Sequence, residues 1–221
     1  MSEYTEESAD SWRVFRIIAE FVDGFEALQK LGPSVSIFGS VREKEGTENY
    51  KICEEIAKKL SAKGFAVITG GGPGIMEAAN RGAQSVEGRS CGVGVDLPLE
   101  KCHNPFVDPE FALRFRYFFV RKVMFIRYAQ ACIFMPGGYG TLDELFEVLT
   151  LIQTKKIQQF PIFLVGSSYW KGLLDWIEQF TLAHGYIDGT DTKLFQLCDD
   201  PDEIARAIEV NYLKKQSTKN F

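Results

Sequence analysis

The feature that most constrains the fold is a glycine-rich segment placed between an apolar run and an amphipathic one. Residues 136–144 read P-G-G-Y-G-T-L-D-E and follow the β-prone run at residues 131–135. The leucines and other apolar residues that come next recur at helical spacing. This order predicts a strand, a tight turn and a helix. Glycines allow backbone N–H groups to approach an anion, and a helix N-terminus carries partial positive charge, so the segment is suited to holding a phosphate.

A structural interpretation of the same residues is a helix cap. Thr141 and Glu144 fit the T-x-x-E capping box, in which the threonine caps the helix and the glutamate reaches back to it. A capping box does not explain three glycines in four positions after a strand. The pattern therefore favours a ligand site, with the cap as a secondary role.

A second glycine motif, G-G-G-P-G-I-M at residues 70–76, follows another apolar run at residues 65–69. Strands alternate with helices along the rest of the chain, which predicts an α/β fold: a Rossmann-like, doubly wound parallel sheet with helices on both faces. Both glycine motifs then lie at strand C-termini and can converge on one ligand. An NAD-type G-x-G-x-x-G site is the weaker alternative, because the spacing is too compact and no acidic ribose ligand follows.

The domain boundaries follow from composition. Residues 1–10 and 213–221 are predicted polar tails, and residues 11–212 one nucleotide-binding domain. The domain begins with an amphipathic helix at residues 11–31 that lies outside the motif region. We expect its apolar side to pack on the body of the domain or on a partner subunit; this side carries Trp12, Phe15, Ile18, Ala19, Val22 and Phe25.

Together the motifs resemble those of a known family. Residues 136–144 fit P-G-G-x-G-T-x-x-E, residues 70–76 fit G-G-G-x-x-G-x-M, and the pair Arg121-Lys122 stands between them. The chain resembles, over about residues 35–176, the Lonely Guy family of cytokinin riboside 5′-monophosphate phosphoribohydrolases, often mislabelled as lysine decarboxylases. The longer, bacterial-type branch is the nearest match. The resemblance implies hydrolysis of the N-glycosidic bond of a nucleoside 5′-monophosphate, without metal or organic cofactor, by a homodimer or larger even-numbered assembly.

The resemblance and the residue chemistry together give a candidate site. Glu144 is the predicted catalytic carboxylate, and Arg121 is expected to hold it ionised and to orient the ribose or the leaving base. Glu100 matches a substrate-contacting position, although a solvated loop glutamate is a fair alternative. The predicted substrate-binding residues are Gly39, Ser40, Gly71, Gly72, Gly74, Glu100, Lys122, Gly137, Gly138, Tyr139, Gly140 and Thr141.

Charge supports a small anionic ligand. Residues 111–142 contain no acidic residue and carry a charge of +5, within a chain whose net charge is −5. An acidic protein with basic residues beside a glycine loop favours a small anion and disfavours a nucleic-acid polymer. The five cysteines lack metal-ligand spacing and are expected to be reduced thiols of a cytoplasmic protein, and no run suggests a signal peptide or a membrane span.

Other functions remain open at this stage. The motifs are suited to binding the ribose phosphate and do not distinguish adenine from a modified adenine. A general AMP nucleosidase is therefore a second hypothesis, and a nucleotide-binding protein without turnover is a third. Lysine decarboxylation is disfavoured, because it requires a lysine that forms a Schiff base with pyridoxal phosphate. No such pattern exists beyond Lys122.

Overall fold

The structure, a computed structural model, describes residues 3–96 and 103–218, with side chains described for residues 12–96 and 103–216. In chain order the helices and strands are α1 (Glu3–Leu28), β1 (Ser34–Phe38), α2 (Glu48–Ala62), β2 (Ala66–Thr69), α3 (Ile75–Gln84), β3 (Ser90–Val95), β4 (Ala112–Phe115), α4 (Phe118–Arg127), β5 (Ala129–Phe134), α5 (Tyr139–Gln153), β6 (Ile162–Leu164), α6 (Ser167–Trp176), β7 (Gln196–Leu197) and α7 (Pro201–Thr218). No helix among these described residues is long and apolar enough to cross a membrane.

The strands form one parallel sheet in the order β4-β3-β2-β1-β5-β6-β7. The chain builds outward from β1 to β4, then returns to the other side of β1 and continues outward to β7. The order therefore reverses between β1 and β5, and this switch point is where open α/β sheets bind their ligands.

Two apolar layers cover the sheet and confirm the predicted α/β architecture. One layer packs α1, α4, α5 and α6 on one face, and the other packs α2, α3 and α7 on the opposite face. The central strands are buried on both faces, which is why β1, β2 and β5 read in the sequence as short, continuous apolar runs.

Two elements were not predicted. The sequence pattern indicates only a loop and a basic segment between residues 103 and 130, whereas the structure places β4 and α4 there. β4 is one of the two edge strands of the sheet, and only Phe115 among its four residues is buried. An edge strand exposed to solvent carries no continuous apolar run, so the sequence pattern gave little sign of it.

The ends of the chain also differ from the prediction. α1 begins at Glu3 and α7 continues to Thr218, so helix extends into both of the predicted polar tails. Acidic residues stabilise the first turn of a helix, because the N-terminal end carries partial positive charge. This effect is consistent with the early start of α1.

The apolar side of α1 predicted from the sequence faces outward. Trp12, Phe15, Ile18 and Val22 are more than half exposed, and Phe25 is 37% exposed. The side that packs on the domain instead includes Ile17, Phe21 and Leu28. α1 therefore has two apolar sides, of which this chain covers one.

Candidate active site

A cleft of about 740 Å³ opens at the carboxyl ends of β1, β2 and β5. It lies at the switch point, between the loop that follows β1 and the loop that follows β5. The residues that line it include nine of the predicted site residues: Gly39, Ser40, Arg121, Gly137, Gly138, Tyr139, Gly140, Thr141 and Glu144. The structure thus brings most of the predicted site together from segments up to about a hundred residues apart.

The loop after β5 runs directly into α5. Gly138 is the N-cap residue of that helix, and no side chain makes a capping hydrogen bond there. A Cβ on Gly137 would lie 2.1 Å from Oγ1 of Thr141, so only glycine fits at residue 137. Nothing lies within 4 Å of a Cβ position on Gly138 or Gly140. Both glycines line the cleft, where the first N–H groups of α5 can meet a ligand.

The capping box predicted for Thr141 and Glu144 is not formed. α5 begins at Tyr139, two residues before Thr141, so Thr141 lies inside the first turn of the helix and cannot be its N-cap. Glu144 is then beyond the first turn and turns toward α4. Its position consequently needs an explanation other than capping.

Glu144 is a buried carboxylate at the edge of the cleft. It is 6% exposed, and its Oε2 atom is buried without a hydrogen-bond partner among the described residues. Its Oε1 atom lies 3.5 Å from Nζ of Lys122. Burial raises the pKa of Glu144 to about 7, against the opposing attraction of Lys122 and, more weakly, Arg121. A carboxylate with this proton affinity can exchange a proton near neutral pH.

Arg121 favours the ionised form of Glu144, as expected, but its effect on the pKa is weaker than that of Lys122 and that of burial. The ion pair of Glu144 is made with Lys122, and burial outweighs both cations. The Arg121 guanidinium instead lies over the ring of Phe125, at 5.1 Å from its centroid, and within 5.9 Å of the Phe118 ring. These rings hold a cation at the cleft wall, with Nη2 next to Gly70.

Lys122 lies behind the cleft wall and not among its lining residues. Its ammonium contacts three carboxylates of α5: Asp143, Glu144 and Glu147. The distance to Oδ2 of Asp143 is 2.9 Å, and the contact with Glu147 is shorter still. The predicted role of Lys122 in binding substrate directly is therefore not what the geometry favours.

The second glycine motif contributes less to the cleft than predicted. Gly70 lines the cleft, whereas Gly71 and Gly72 border a small crevice beside His103 and Arg114. Gly74 is the N-cap of α3, with φ of +71°, and a Cβ there would lie 2.4 Å from the carbonyl oxygen of Ser40. Gly74 thus allows α3 to support the loop after β1. Glu100 lies outside the described residues.

A buried polar network, missed in the sequence, fixes the second glycine loop. Asn80 of α3 accepts hydrogen bonds from Thr69 at 2.7 Å and from Asn104 at 2.9 Å. Asn104 also donates to the carbonyl oxygen of Gly72, and the N–H of Gly71 donates to Thr69. The only sign available in the sequence was a lone asparagine on the apolar side of a helix. Because every member is satisfied, the network specifies one loop conformation.

Other lining residues were also missed. Tyr169 of α6 donates a hydrogen bond from Oη to the carbonyl oxygen of Gly137 and so ties α6 to the glycine loop. The cleft is also lined by Phe118 and Asp143, and by Arg42 and Met76. Asp143 stood inside the motif and could have been found there. Tyr169 is about thirty residues away, and only the fold brings it to the cleft.

Comparison with known proteins agrees with this geometry. The family model described as "Possible lysine decarboxylase" matches residues 76–208. The cytokinin riboside 5′-monophosphate phosphoribohydrolase LOG7 of Arabidopsis thaliana is 34% identical over 90 residues, which are 40% of this chain and 41% of that protein. The probable cytokinin riboside 5′-monophosphate phosphoribohydrolase LOGL3 of Oryza sativa subsp. japonica is 29% identical over 172 residues, covering 70% of this chain and 73% of that protein.

A solved structure shares the fold at lower identity. The molybdenum cofactor carrier protein of Chlamydomonas reinhardtii superposes with a TM-score of 0.56 over 83% of this chain and 99% of that one, at 19% identity. At this identity the likeness concerns the fold alone. The same arrangement of strands and helices therefore occurs in a protein named as a carrier.

Proposed function

The chain belongs to the Lonely Guy family, the one matched as possible lysine decarboxylase, and from this membership we propose that it is a nucleoside 5′-monophosphate phosphoribohydrolase. The substrate is adenosine 5′-monophosphate or an N6-modified derivative such as a cytokinin riboside monophosphate. The products are the free base and ribose 5-phosphate. The observation that carries the proposal is a buried carboxylate, Glu144, in the same cleft as an open glycine loop at a helix N-terminus.

The 5′-phosphate binds at the start of α5. The loop supplies backbone N–H groups and the positive end of the helix, and the open faces of Gly138 and Gly140 leave room for the phosphate oxygens. Glu144 lies one turn farther along the same helix. A phosphate at the helix start therefore places the ribose, and not a second anion, beside the carboxylate.

The reaction breaks the bond between C1′ and the base nitrogen. The electron pair leaves with the base, which gains a proton, and an oxocarbenium-like charge develops on the ribose. Ionised Glu144 stabilises that charge and takes a proton from the water whose oxygen bonds to C1′. Glu144 then releases this proton to solvent, from which the base takes up its own. Water is consumed, and no redox partner or group acceptor is needed.

Arg121 orients the substrate at the opposite side of the ribose. Its guanidinium is fixed by the rings of Phe118 and Phe125 and lies beside Gly70. From this wall it can donate hydrogen bonds to ribose hydroxyls or to the leaving base. A fixed donor contributes to rate by holding the reacting atoms in alignment.

Lysine decarboxylation fits the site poorly. Among the described residues, no lysine lines the cleft. Burial lowers the pKa of Lys122, but its hydrogen bonds with Glu147 and Asp143 outweigh burial and raise it. A Schiff base with pyridoxal phosphate requires a neutral, accessible amine. The Lys122 ammonium is charged and contacts three carboxylates, so the residues present do not suit pyridoxal phosphate.

A carrier without turnover is the alternative from another class, and the fold similarity to a cofactor carrier motivates it. Incubation with a panel of nucleoside 5′-monophosphates separates the two. We expect stoichiometric release of free base and ribose 5-phosphate from AMP or an N6-modified AMP. Tight binding of the same nucleotides without release of base would instead indicate a carrier. The relative rates within the panel distinguish a general AMP nucleosidase from an enzyme for N6-modified bases.

We further propose that the protein assembles as a homodimer or larger even-numbered oligomer through α1. Phe15, Ile18, Val22 and Phe25 follow one another at spacings of three, four and three residues, which is the spacing of a coiled-coil seam. All four are exposed. Such a seam requires a second helix to cover it.

The distribution of charge along the length of α1 favours a second copy in antiparallel orientation. Arg13 and Arg16 lie in its amino-terminal half, and Asp23 and Glu26 in its carboxyl-terminal half. A two-fold axis near residue 20 would place each basic half against the acidic half of the other copy, as an isologous interface requires. Arg13 also lies over the ring of Tyr117, which contacts Phe119 on α4, so α1 is tied to the start of α4 in the same chain.

A further inference from the structure

Three carboxylates of α5 share one ammonium group. Asp143, Glu144 and Glu147 all contact Nζ of Lys122, which reaches them from α4. Asp143 and Glu147 make the closer contacts and hydrogen-bond to the ammonium, whereas Glu144 lies at 3.5 Å. Lys122 therefore neutralises its two other partners more effectively than it neutralises Glu144.

The three carboxylates differ in their access to water. The side chain of Asp143 is 61% exposed and that of Glu147 is 30% exposed, whereas that of Glu144 is 8% exposed. A buried carboxylate with one oxygen unsatisfied favours its protonated form, while an exposed one keeps its charge. Among the three, Glu144 is the one whose proton affinity depends most on where Lys122 points.

Other groups face Glu144 from the elements packed around it. Arg121 on α4 adds a second positive charge with a weaker effect on Glu144 than Lys122 has, and Asp143 and Glu147 on α5 add negative charge. Cys132 of β5 also lies close, as a buried thiol whose pKa burial and Glu144 raise. With all three carboxylates ionised, negative charge exceeds positive charge in this cluster, and a proton on Glu144 restores the balance.

We propose that Lys122 and Glu147 are positioning residues for Glu144, and that they set its protonation state by competition for the Lys122 ammonium. Glu147 draws Lys122 away from Glu144 and thereby keeps Glu144 able to exchange a proton. Lys122, in turn, keeps Glu144 from remaining fully protonated. The catalytic part of this inference rests on the proposed function, whereas the protonation of Glu144 does not.

Substitutions at the two positions have opposite consequences. In Glu147→Gln, Lys122 loses a competing partner and pairs more closely with Glu144, so the pKa of Glu144 falls. In Lys122→Met, Glu144 loses its ion pair, so its pKa rises. We expect shifts of about one pH unit in each direction, the lower end of the range for a neighbouring charge. Lys122→Arg keeps the charge and should lie nearer to the wild-type value.

The experiment measures the titration of Glu144 itself. Carboxyl-stretch infrared spectra are recorded against pH, and the contribution of Glu144 is isolated by subtraction of the Glu144→Gln spectra. The matched controls are Glu209→Gln and Lys63→Met, which remove the partners of another partly exposed ion pair, between α7 and the end of α2. Circular dichroism confirms which variants are folded. If Lys122→Met does not fold, the comparison of the titration midpoints of Glu147→Gln and Glu209→Gln tests the proposal by itself.

The expected result is a lower titration midpoint for Glu147→Gln, a higher one for Lys122→Met, and no change in the controls. The acidic limb of kcat against pH should move with the infrared midpoint. An unchanged midpoint in Glu147→Gln, or shifts of the same sign in both variants, would overturn the proposal. If the midpoints shift as expected but no base is released from any nucleotide, the proposed function fails while the coupling of the three carboxylates stands.

Discussion

The Oε1 atom of Glu144 lies 3.5 Å from Nζ of Lys122, a separation at which the two groups attract each other without forming a short hydrogen bond. Glu144 is consequently buried, near a positive charge, and still free to hold a proton. A carboxylate fixed more tightly to Lys122 would be ionised at all physiological pH values. One that lacked the lysine would be neutral at the pH where the cell operates. The 3.5 Å separation leaves Glu144 between these extremes.

Replacement of Glu144 with Gln should remove catalysis while binding remains. Glutamine fills the same volume but can neither carry the negative charge nor accept a proton from water. We expect kcat to fall roughly 10²- to 10⁴-fold, with AMP affinity changed by less than about threefold. Single-turnover release of base and calorimetric binding of AMP measure the two quantities. Near-wild-type turnover in a folded Glu144→Gln protein would show that Glu144 is not the catalytic carboxylate.

The same substitution should stabilise the protein at alkaline pH. Because the pKa of Glu144 is raised from 4.5 to about 7 on folding, the folded state favours the protonated form. The contribution of protonated Glu144 to the free energy of unfolding is fully present below about pH 4.5 and is lost as the pH rises through 7. At pH 8 the ionised carboxylate costs on the order of 1–3 kcal/mol, and the neutral glutamine avoids that cost. Denaturant unfolding of both proteins should therefore agree at pH 4.5 and diverge at pH 8, with Glu144→Gln the more stable; equal stabilities at pH 8 would contradict a raised pKa.

The phosphate of the substrate should be required for turnover. The glycine loop and the start of α5 offer hydrogen bonds to an anion, and each charge-assisted bond contributes about 1.5–3 kcal/mol. Loss of two such bonds should lower kcat/KM for adenosine at least about 10²-fold relative to AMP. Ribose 5-phosphate should inhibit competitively, whereas ribose serves as the control that should not. Comparable turnover of adenosine and AMP would mean that the loop does not bind the phosphate.

Two neighbouring glycines should respond differently to alanine. Gly138→Ala places a methyl group into the open cleft, so we expect an unchanged melting temperature and a roughly tenfold weaker affinity for AMP. Gly137→Ala places Cβ at 2.1 Å from Oγ1 of Thr141 and 3.1 Å from the carbonyl carbon of Gly39. Overpacking of this kind costs about 1–3 kcal/mol, and the melting temperature should fall. Equal effects of the two substitutions on stability would contradict the described loop geometry.

The proposed assembly is tested with a matched pair of valines. Val22 lies in the α1 seam and is 55% exposed, and Val210 lies on α7 and is 43% exposed. Val22→Glu should shift the protein toward the monomer in sedimentation or light scattering at micromolar concentration, because it buries a charge in the interface. Val210→Glu should leave the mass unchanged. A wild-type protein that is monomeric and active at that concentration would refute the assembly.

The order of the chain and its local patterns determined the fold class and most of the cleft. Apolar runs, each followed by glycines and an amphipathic helix, predicted the parallel sheet, because a strand buried on both faces has no polar side to show in the sequence. The motif at residues 136–144 likewise predicted the loop and helix start that line the cleft, at eight successive positions from Gly137 to Glu144. These features depend on residues that are close in sequence, and so local physics was sufficient to find them.

Tertiary structure decided the features that depend on distant residues. Whether Thr141 caps its helix depended on where α5 begins. Whether Glu144 is ionised depended on its burial and on how closely Lys122 and the other charged groups approach it. The exposed side of α1 could not be distinguished from its packed side, because both are apolar and periodic. Sequence spacing indicates which residues share one helix face. The charge, proton affinity and exposure of a side chain are set by neighbouring groups that only the folded chain brings together.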